Sequence, residues 1–256
     1  MTADGTVRAK QQHKFRQINR YLEFIDDVLP DLPPEGPLSI VDCGCGKSGL
    51  TFALHHHLTV NHGREVRAVG LDRESQVIDR CRNLSRRLEL SGLTFLQGDI
   101  ADYQPAGRVD MVVSLHACDT ATDAALAQAV RWEADVILAV PCCQHEVAPQ
   151  LTANALAGLL RFGLLKERFA ADITDALRAN LLEAVGYKSQ IVEFIELEHT
   201  PKNLLIRAVK RRLRNHRPAA CPHEVDRTIR TTQTNGGHHH VALERALGDR
   251  LPSMNG

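Results

Sequence analysis

The feature that most constrains the fold of this chain is a series of five short apolar runs that alternate with segments of helical pattern. The runs read LSIVDCG, REVRAVGLD, LTFLQGD, VDMVVSLHA and ADVILAVPC. Runs of this length, bounded by glycine, proline and charged residues, are typical of buried strands. Their alternation with helices predicts an α/β fold with a doubly wound, mostly parallel sheet. Two further runs, SQIVEFIELEH and NLLIRAVKR, are joined by TPK and predict a closing antiparallel hairpin, which gives seven strands in all.

The regions on either side of this alternation differ from it in composition, which predicts three parts. Residues 12–29 carry apolar side chains at helical spacing, and the PDLPPEGP that follows ends the helix. Residues 1–36 are therefore expected to form a basic N-terminal helical cap, and residues 37–212 the strand–helix domain. From about Pro218 the chain is polar and glycine-broken, so residues 213–256 are expected to form a peripheral C-terminal appendage.

Composition limits the classes of partner and compartment. The chain has 31 Lys and Arg against 31 Asp and Glu, so its zero net charge gives no overall attraction to nucleic acid or membrane. No segment approaches the ~18 consecutive apolar residues of a membrane span, and the start has no apolar stretch of a signal peptide. The seven cysteines lack the spacing of a disulfide framework. A cytoplasmic location is therefore expected.

Two basic runs break the charge balance locally. The first twenty residues contain five basic residues against one acid, Asp4, and residues 207–217 read RAVKRRLRNHR without an acid. Such runs either bind phosphates or form solvated faces. The phosphate-binding interpretation predicts RNA contacts from Lys10, Lys14, Arg16, Arg20, Lys210, Arg211 and Arg212.

The glycines after the first strand predict a nucleoside cofactor. Residues 44–49 read GCGKSG and satisfy the pattern G-x-G-x-x-G, whereas a P-loop would need a glycine at Val41. Asp42 precedes these glycines and would repel the pyrophosphate of NAD. S-adenosylmethionine has no phosphate and carries an ammonium and a sulfonium group, so Asp42 favours it. An oxidoreductase that uses NAD stays a weaker alternative.

Carboxylates also follow the next two strands. Asp72 ends the second strand and suits the ribose hydroxyls, and Asp99 follows the third and suits the adenine amino group. Because the carboxyl ends of parallel strands lie at one edge of a sheet, these groups are expected to meet there. The alternative is that Asp72 and Asp99 cap the helices after them. The predicted cofactor-binding residues are Asp42, Gly44, Gly46, Asp72, Asp99 and Ile100.

Five segments together resemble one known family. They read DCGCGKSGLTFAL, VGLDR, SLHACDTATDAAL, ILAVPCCQHE and EHTPKNLLIRAVK, and they look like the class I S-adenosylmethionine-dependent methyltransferases of the Methyltransferase-32 group, over about residues 12–210. That group is similar to a eukaryotic tRNA 2′-O-methyltransferase family and includes the methyltransferase part of a glutathione-transferase-like protein. The resemblance implies that residues 37–212 bind S-adenosylmethionine, with contacts from Asp42, Gly44, Gly46, Asp72 and Asp99.

Two loops at the expected rim of the sheet hold the candidate catalytic residues. His116 and Cys118 follow the fourth strand, and Cys142, Cys143 and His145 follow the fifth. These residues could bind zinc, although adjacent cysteines rarely point to one ion. A cysteine thiolate could instead attack a pyrimidine ring. In the third hypothesis, which we carry forward and which needs no metal, the cysteines line the acceptor pocket and a histidine acts as the base.

Histidine tracts at residues 55–57 and 238–240 look like metal sites at first sight. Consecutive histidines on a helix point in different directions, so residues 55–57 are not expected to chelate one ion together. The second tract lies in the polar tail, and both are expected to be non-functional.

The predicted function is methylation of RNA, either tRNA or rRNA. The alternatives are a protein or small-molecule methyltransferase and a non-catalytic S-adenosylmethionine-binding protein.

Overall fold

The computed structural model describes residues 9–115, 117, 120–142, 144, 146–151, 156–194, 204–211 and 242–251. Its strands are Leu38–Cys43 (β1), Val66–Asp72 (β2), Leu93–Gln97 (β3), Met111–Leu115 (β4), Val136–Val140 (β5), Tyr187–Glu193 (β6) and Leu204–Lys210 (β7). Its α-helices are Ala9–Val28 (α1), Gly49–His56 (α2), Ser75–Arg87 (α3), Thr120–Arg131 (α4), Ala157–Leu160 (α5), Gly163–Ala184 (α6) and Ala242–Leu247 (α7). In these ranges no helix is both long enough and apolar enough to cross a membrane.

All seven strands form one sheet in the order β3-β2-β1-β4-β5-β7-β6. Strands β1 to β5 are parallel, and β7 is antiparallel to both β5 and β6. This confirms the predicted doubly wound sheet with an antiparallel closing pair. The order reverses between β1 and β4, which is where open α/β sheets bind their ligands. The TPK segment predicted as the hairpin turn lies outside the described residues.

The connection from β3 to β4 departs from the predicted alternation of strands and helices. Residues 98–110 are all described, and they form turns and irregular backbone without a helix. Gly98, Pro105 and Gly107 fall within this segment and disfavour a helix. Helix α3 ends at Arg87, and a series of turns leads from it into β3.

Helices cover both faces of the sheet. Helices α1 and α2 pack with one face of β1, β4 and β5 into a core that includes Tyr21, Ile25 and Leu54. Helices α4, α6 and α7 cover the other face, where Leu243 and Leu247 of α7 are buried. The last described residues of the predicted appendage therefore pack on the domain.

The first helix is fixed to the sheet by a buried tyrosine. The Tyr21 hydroxyl donates a hydrogen bond to the carbonyl of Leu138 at 2.5 Å and accepts one from the amide of Ser114 at 3.3 Å. Helix α1 runs beside α2, with Lys14 close to Gly49 at the start of α2 and Asp26 beside His57 after its end. Its first half thus reaches the carboxyl ends of the parallel strands.

Candidate active site

A pocket of about 680 Å³ opens at the carboxyl ends of β1 to β4. This volume is in the range of pockets that hold small-molecule ligands. Leu115 and Ala117 at the end of β4 and Thr120 at the start of α4 contribute to its wall. All six residues predicted to contact a cofactor also line it, namely Asp42, Gly44, Gly46, Asp72, Asp99 and Ile100.

The loop after β1 is shaped by glycines and held by Asp72. Gly44 and Gly46 have φ angles of 72° and 51°, a left-handed conformation that glycine adopts without strain. The Gly46 amide donates a hydrogen bond to Asp72 Oδ2 at 2.8 Å, and the Glu74 amide donates to Asp72 Oδ1 at 3.0 Å. Asp72 therefore connects the glycine loop to the residue before α3, which combines the predicted position in the site with a local structural role.

Asp42 is the most strongly perturbed acid of the pocket. It is buried, with 2% relative exposure, and it accepts a hydrogen bond from the Thr51 hydroxyl at 2.6 Å. Burial raises the pKa of Asp42 to about 7, and the nearby charge of Asp72 adds to this, while the Thr51 hydrogen bond and Lys14 oppose it. Within the described part of the chain no cationic side chain forms an ion pair with Asp42. A cationic ligand would therefore favour its ionised form.

Asp99 lies in a different environment from Asp42. Its Oδ1 accepts a hydrogen bond from the Ala101 amide at 3.0 Å, and its Oδ2 pairs with the guanidinium of Arg73. The Ala101 hydrogen bond, followed by Arg73, lowers the pKa of Asp99. This carboxylate is ionised at neutral pH and accepts hydrogen bonds, as a contact to an amino group requires.

Two residues of α1 line the pocket that sequence reasoning did not assign to it. Lys14, predicted as an RNA contact, and Gln17 both form part of the wall. A Cβ atom built on Gly49 would lie 3.0 Å from Ile18 Cδ1 and 3.3 Å from Lys14 Cε, so glycine at the start of α2 allows α1 to approach closely. The sequence signal for Gln17 is a polar residue four positions before Tyr21, on the apolar face of α1.

The cysteines of the glycine loop are unsuited to covalent catalysis. Burial raises the pKa of Cys43 and of Cys45 well above the usual range of a thiol, and the charge of Asp42 adds to this. Both are therefore thiols at neutral pH, and a thiol is a poor nucleophile. Cys45 lines the pocket as a small apolar residue.

Of the five predicted catalytic residues, the structure describes Cys142. His116, Cys118, Cys143 and His145 lie outside the described residues, so their roles stay predictions. Cys142 is half-buried directly after β5. Strands β4 and β5 are neighbours, with Leu115 opposite Val140, so the two strands end side by side.

A buried ionic network behind the β5 loop was not predicted. The Arg178 guanidinium of α6 donates to Asp123 Oδ1 at 2.7 Å and to Asp175 Oδ1 at 2.9 Å, and the Gln144 amide donates to Asp175 Oδ2 at 3.0 Å. Burial raises the pKa of Asp175 to about 6, although Arg178 opposes it. Asp123 of α4 belongs to the HACDTATD segment and Gln144 to the PCCQH segment, so the network joins α4 and the residues after β5 to α6. An arginine in the apolar stretch DALRANLLEA was its sequence signal.

The two basic runs face different parts of the molecule. The Lys210 amide donates a hydrogen bond to the carbonyl of Asp135, the residue before β5. Because β7 is antiparallel to β5, Lys210 therefore lies at the edge of the sheet opposite the pocket. Its ammonium lies 3.4 Å from Glu133 Oε2, and Arg20 pairs with Glu23. Arg16 is exposed on α1. The side chain of Lys10 and all of Arg212 lie outside the described residues.

The strand order, the glycine loop and the three acidic strand ends around one pocket define a class I methyltransferase domain, whose cofactor is S-adenosylmethionine. Residues 13–150, more than half of the chain, match the model of the Methyltransferase-32 family, described as a methyltransferase domain. The chain belongs to this family.

One curated protein and one solved structure are among those similar to this chain. The glutathione S-transferase C-terminal domain-containing protein homolog of Drosophila pseudoobscura pseudoobscura is 30% identical over 142 residues, which cover 55% of this chain and 22% of that protein. The chain thus spans about a fifth of this curated relative. A Listeria monocytogenes structure assigned to the class I S-adenosylmethionine-dependent methyltransferases has a TM-score of 0.52 at 13% identity, and the match covers 85% of this chain and 66% of that one.

Proposed function

We propose that this protein transfers the methyl group of S-adenosylmethionine to RNA, either tRNA or rRNA. The observation that carries the cofactor site is the convergence of Asp42, Asp72 and Asp99, each at or just beyond the end of a different neighbouring strand, on one pocket. When bound, the cofactor supplies an electrophilic methyl group on a sulfonium. Asp72 would bind the ribose hydroxyls, Asp99 the adenine amino group, and Asp42 the ammonium group.

The charge of the pocket fits this ligand. The buried carboxylate of Asp42 costs free energy to ionise, and a ligand ammonium group would recover part of that cost. A pyrophosphate in the same position would raise the cost further. Lys14, in the same wall, is suited to the carboxylate of the methionine part of the cofactor.

The distribution of cations around the pocket supports RNA as the acceptor. Three exposed cations line the pocket, namely Lys14, Lys47 and Arg73. Arg16 is also exposed and lies on α1, the helix that carries Lys14. Lys47 and Arg16 have no role in the proposed cofactor contacts, so they would hold the phosphates on either side of a target nucleotide. The resemblance to a tRNA 2′-O-methyltransferase family points to the same acceptor. Because Lys210 lies at the opposite edge of the sheet, Lys210 and Arg211 would contact only RNA that extends away from the pocket.

The reaction needs little from the protein beyond alignment. Methyl transfer is an in-line displacement, and holding the acceptor atom on the line of the breaking bond supplies much of the acceleration. A hydroxyl acceptor also loses a proton, and we assign that proton to His116 or His145. Cys118, Cys142 and Cys143 would form the wall of the acceptor pocket.

The proposal is tested by incubating the purified protein with labelled S-adenosylmethionine and fractionated cell extract. We expect label in material that RNase digests and protease does not, and a loss of at least tenfold in Asp72→Ala but not in Asp79→Ala, an exposed aspartate on α3. Label in protein or small molecules would reject RNA and keep the methyltransferase. Cofactor binding without label in any fraction would support the non-catalytic alternative.

Two further measurements resolve the acceptor side of the site. RNA affinity should fall steeply with salt, and Arg16→Ala should flatten that dependence by about one counterion more than Lys210→Ala does. Activity should fall far more in His116→Ala than in Cys142→Ser if a histidine is the base. The reverse order, with a denaturation-resistant adduct to RNA containing 5-fluoropyrimidine, would establish a cysteine nucleophile, and zinc lost on Cys142→Ser would establish a metal site.

A further inference from the structure

Two histidines and an aspartate form a cluster at the end of α1 and α2 that lies away from the pocket. Asp26 Oδ1 is 2.6 Å from His57 Nε2 and 2.8 Å from His62 Nε2, and the two Nε2 atoms are 3.3 Å apart. We propose that Asp26, His57 and His62 form a binding site for a divalent transition-metal ion of the zinc class. Imidazole nitrogens and a carboxylate are ligands that zinc accepts.

An unusual backbone turn brings the two histidines together. Residues His57–Asn61 form a π-helical turn directly after α2, and His62 follows it. In an α-helix, residues five positions apart point roughly 140° away from each other, whereas the wider π-turn aligns them. The His57 and His62 rings accordingly lie 4.8 Å apart between centroids, with their planes at 74°. Single π-turns of this kind occur often at functional sites.

The spacing of the three ligand atoms is close to that of a zinc site. Bonds of roughly 2.0–2.1 Å at tetrahedral angles place ligand atoms about 3.3–3.4 Å apart. The two nitrogens already have this separation. The carboxylate oxygen must move out by about 0.8 Å to lengthen its present hydrogen bonds to this spacing. Asp26 can make this movement because 44% of its side chain is exposed.

Asn61, which is not itself a ligand, lies where it can orient His57. The Asn61 amide nitrogen is 3.0 Å from His57 Nδ1. Metal binding through Nε2 puts the imidazole proton on Nδ1, and Asn61 can then accept that proton's hydrogen bond after its amide rotates. Such a contact on the far ring nitrogen is the usual support of a histidine ligand. Three protein ligands leave the fourth position to water.

The cluster and the cofactor pocket are separate. Asp26 lies twelve residues beyond Lys14 on α1, which is about 18 Å along the helix axis. None of the three ligands lines the pocket. A bound ion would fasten the end of α1 to the turn after α2. The proposed metal site therefore does not depend on the proposed methyl transfer.

The histidine tract at residues 55–57 is divided by this arrangement. His55 is buried and its Nε2 lies 2.8 Å from the carbonyl of Ser91, while His56 is exposed. The three rings do point in different directions, as expected for a helix, and only His57 joins the cluster. His56 offers a matched control because it is a neighbouring histidine outside the site.

Metal titration of the full chain tests the proposal. The background protein carries Ala at residues 238–240, so that this second histidine tract does not bind the added ion. Chelator-treated protein is titrated with Zn²⁺ by calorimetry and with Co²⁺ by absorption spectroscopy. We expect one equivalent to bind in the background protein and in His56→Gln, and binding at least tenfold weaker in His62→Gln and in Asp26→Asn.

Thermal denaturation gives a second readout that does not depend on activity. At Zn²⁺ a hundredfold above its Kd, the Tm should rise by about 5 °C or more in the background protein and in His56→Gln, and not in the two site variants. Absence of saturable binding in the background protein would overturn the proposal. Equal binding in His62→Gln and in the background protein would also overturn it. Loss of the ion only in Cys142→Ser would assign the ion to the cysteine loop and would overturn it as well.

Discussion

The pocket at the end of β1 and the network around Arg178 both bury aspartates, but only in the network does a buried cation pair with them. Arg178, fully buried, pairs with Asp123 and Asp175, whereas Asp42 has a hydroxyl partner and no ion pair among the described residues. The network is formed by the protein's own side chains and links Gln144, after β5, to α6. In the proposed complex, the ammonium group of S-adenosylmethionine would supply the counter-charge of Asp42. Burial alone therefore marks neither site as functional, and the source of the counter-charge separates the two roles.

Removing the internal cation should have the largest effect. In Arg178→Met two carboxylates stay buried without their partner, and we expect a loss of about 3–5 kcal/mol in the free energy of unfolding at pH 8. Urea denaturation measures it, with Arg168→Met, an exposed arginine on the same helix, as the control. The loss should shrink at pH 5, where Asp175 takes up a proton. Equal losses in the two variants would show that Arg178 does not stabilise the network.

Removing the charge of the pocket should lower affinity and leave the fold intact. Asp42→Asn is expected to weaken S-adenosylmethionine binding by about 10- to 100-fold, because a charged contact is lost. Because the pKa of Asp42 is raised to about 7, the folded protein binds more protons than the unfolded chain between about pH 4 and 7, and stability falls as the pH rises through this range. The variant should therefore be more stable than the parent at pH 8, on the order of 1 kcal/mol.

The same carboxylate should couple cofactor binding to protons. If the ligand ammonium binds the ionised form, affinity should rise from pH 6 to 7 and fall above about pH 8, where the ligand amino group loses its proton. Calorimetry at pH 7 in buffers of different ionisation enthalpy should show release of roughly half a proton. A parent protein with no proton release, or a variant with the same release, would exclude Asp42 as the ammonium partner.

The smallest effect is expected for Asp175→Asn. The new amide keeps an acceptor for Arg178, and Gln144 can rotate so that its Oε1, now buried without a hydrogen bond, accepts from it. We expect a change within ~1 kcal/mol at pH 8. Since the pKa of Asp175 is raised to about 6, the parent protein should lose stability relative to the variant as the pH rises from about 4 to 6. Denaturation at pH 4 and pH 8 measures this, and parallel curves would contradict it.

The local pattern of the chain predicted most of the fold. Apolar runs bounded by glycine and proline identified all seven strands, because strand and helix periods and chain breaks are properties of neighbouring residues. The rule that parallel strands end at one edge then brought Asp42, Asp72 and Asp99 to one pocket. The missing helix between β3 and β4 shows the limit of this reasoning, since the alternation alone could not show which connection lacks one.

Contacts between distant residues were decided by the tertiary structure. Asp26, His57 and His62 meet only because α1 packs beside α2 and a π-turn follows it, and Arg178 meets Asp123 only because α6 and α4 share a face. The antiparallel direction of β7 carries Lys210 to the edge opposite the pocket, while the path of α1 brings Lys14 into the pocket wall. The sequence by itself determined the elements and their polar ends, because short-range sterics and hydrophobic periodicity act within a few residues. Which side chains then meet depends on how the elements pack, because packing joins atoms that are dozens of residues apart along the chain.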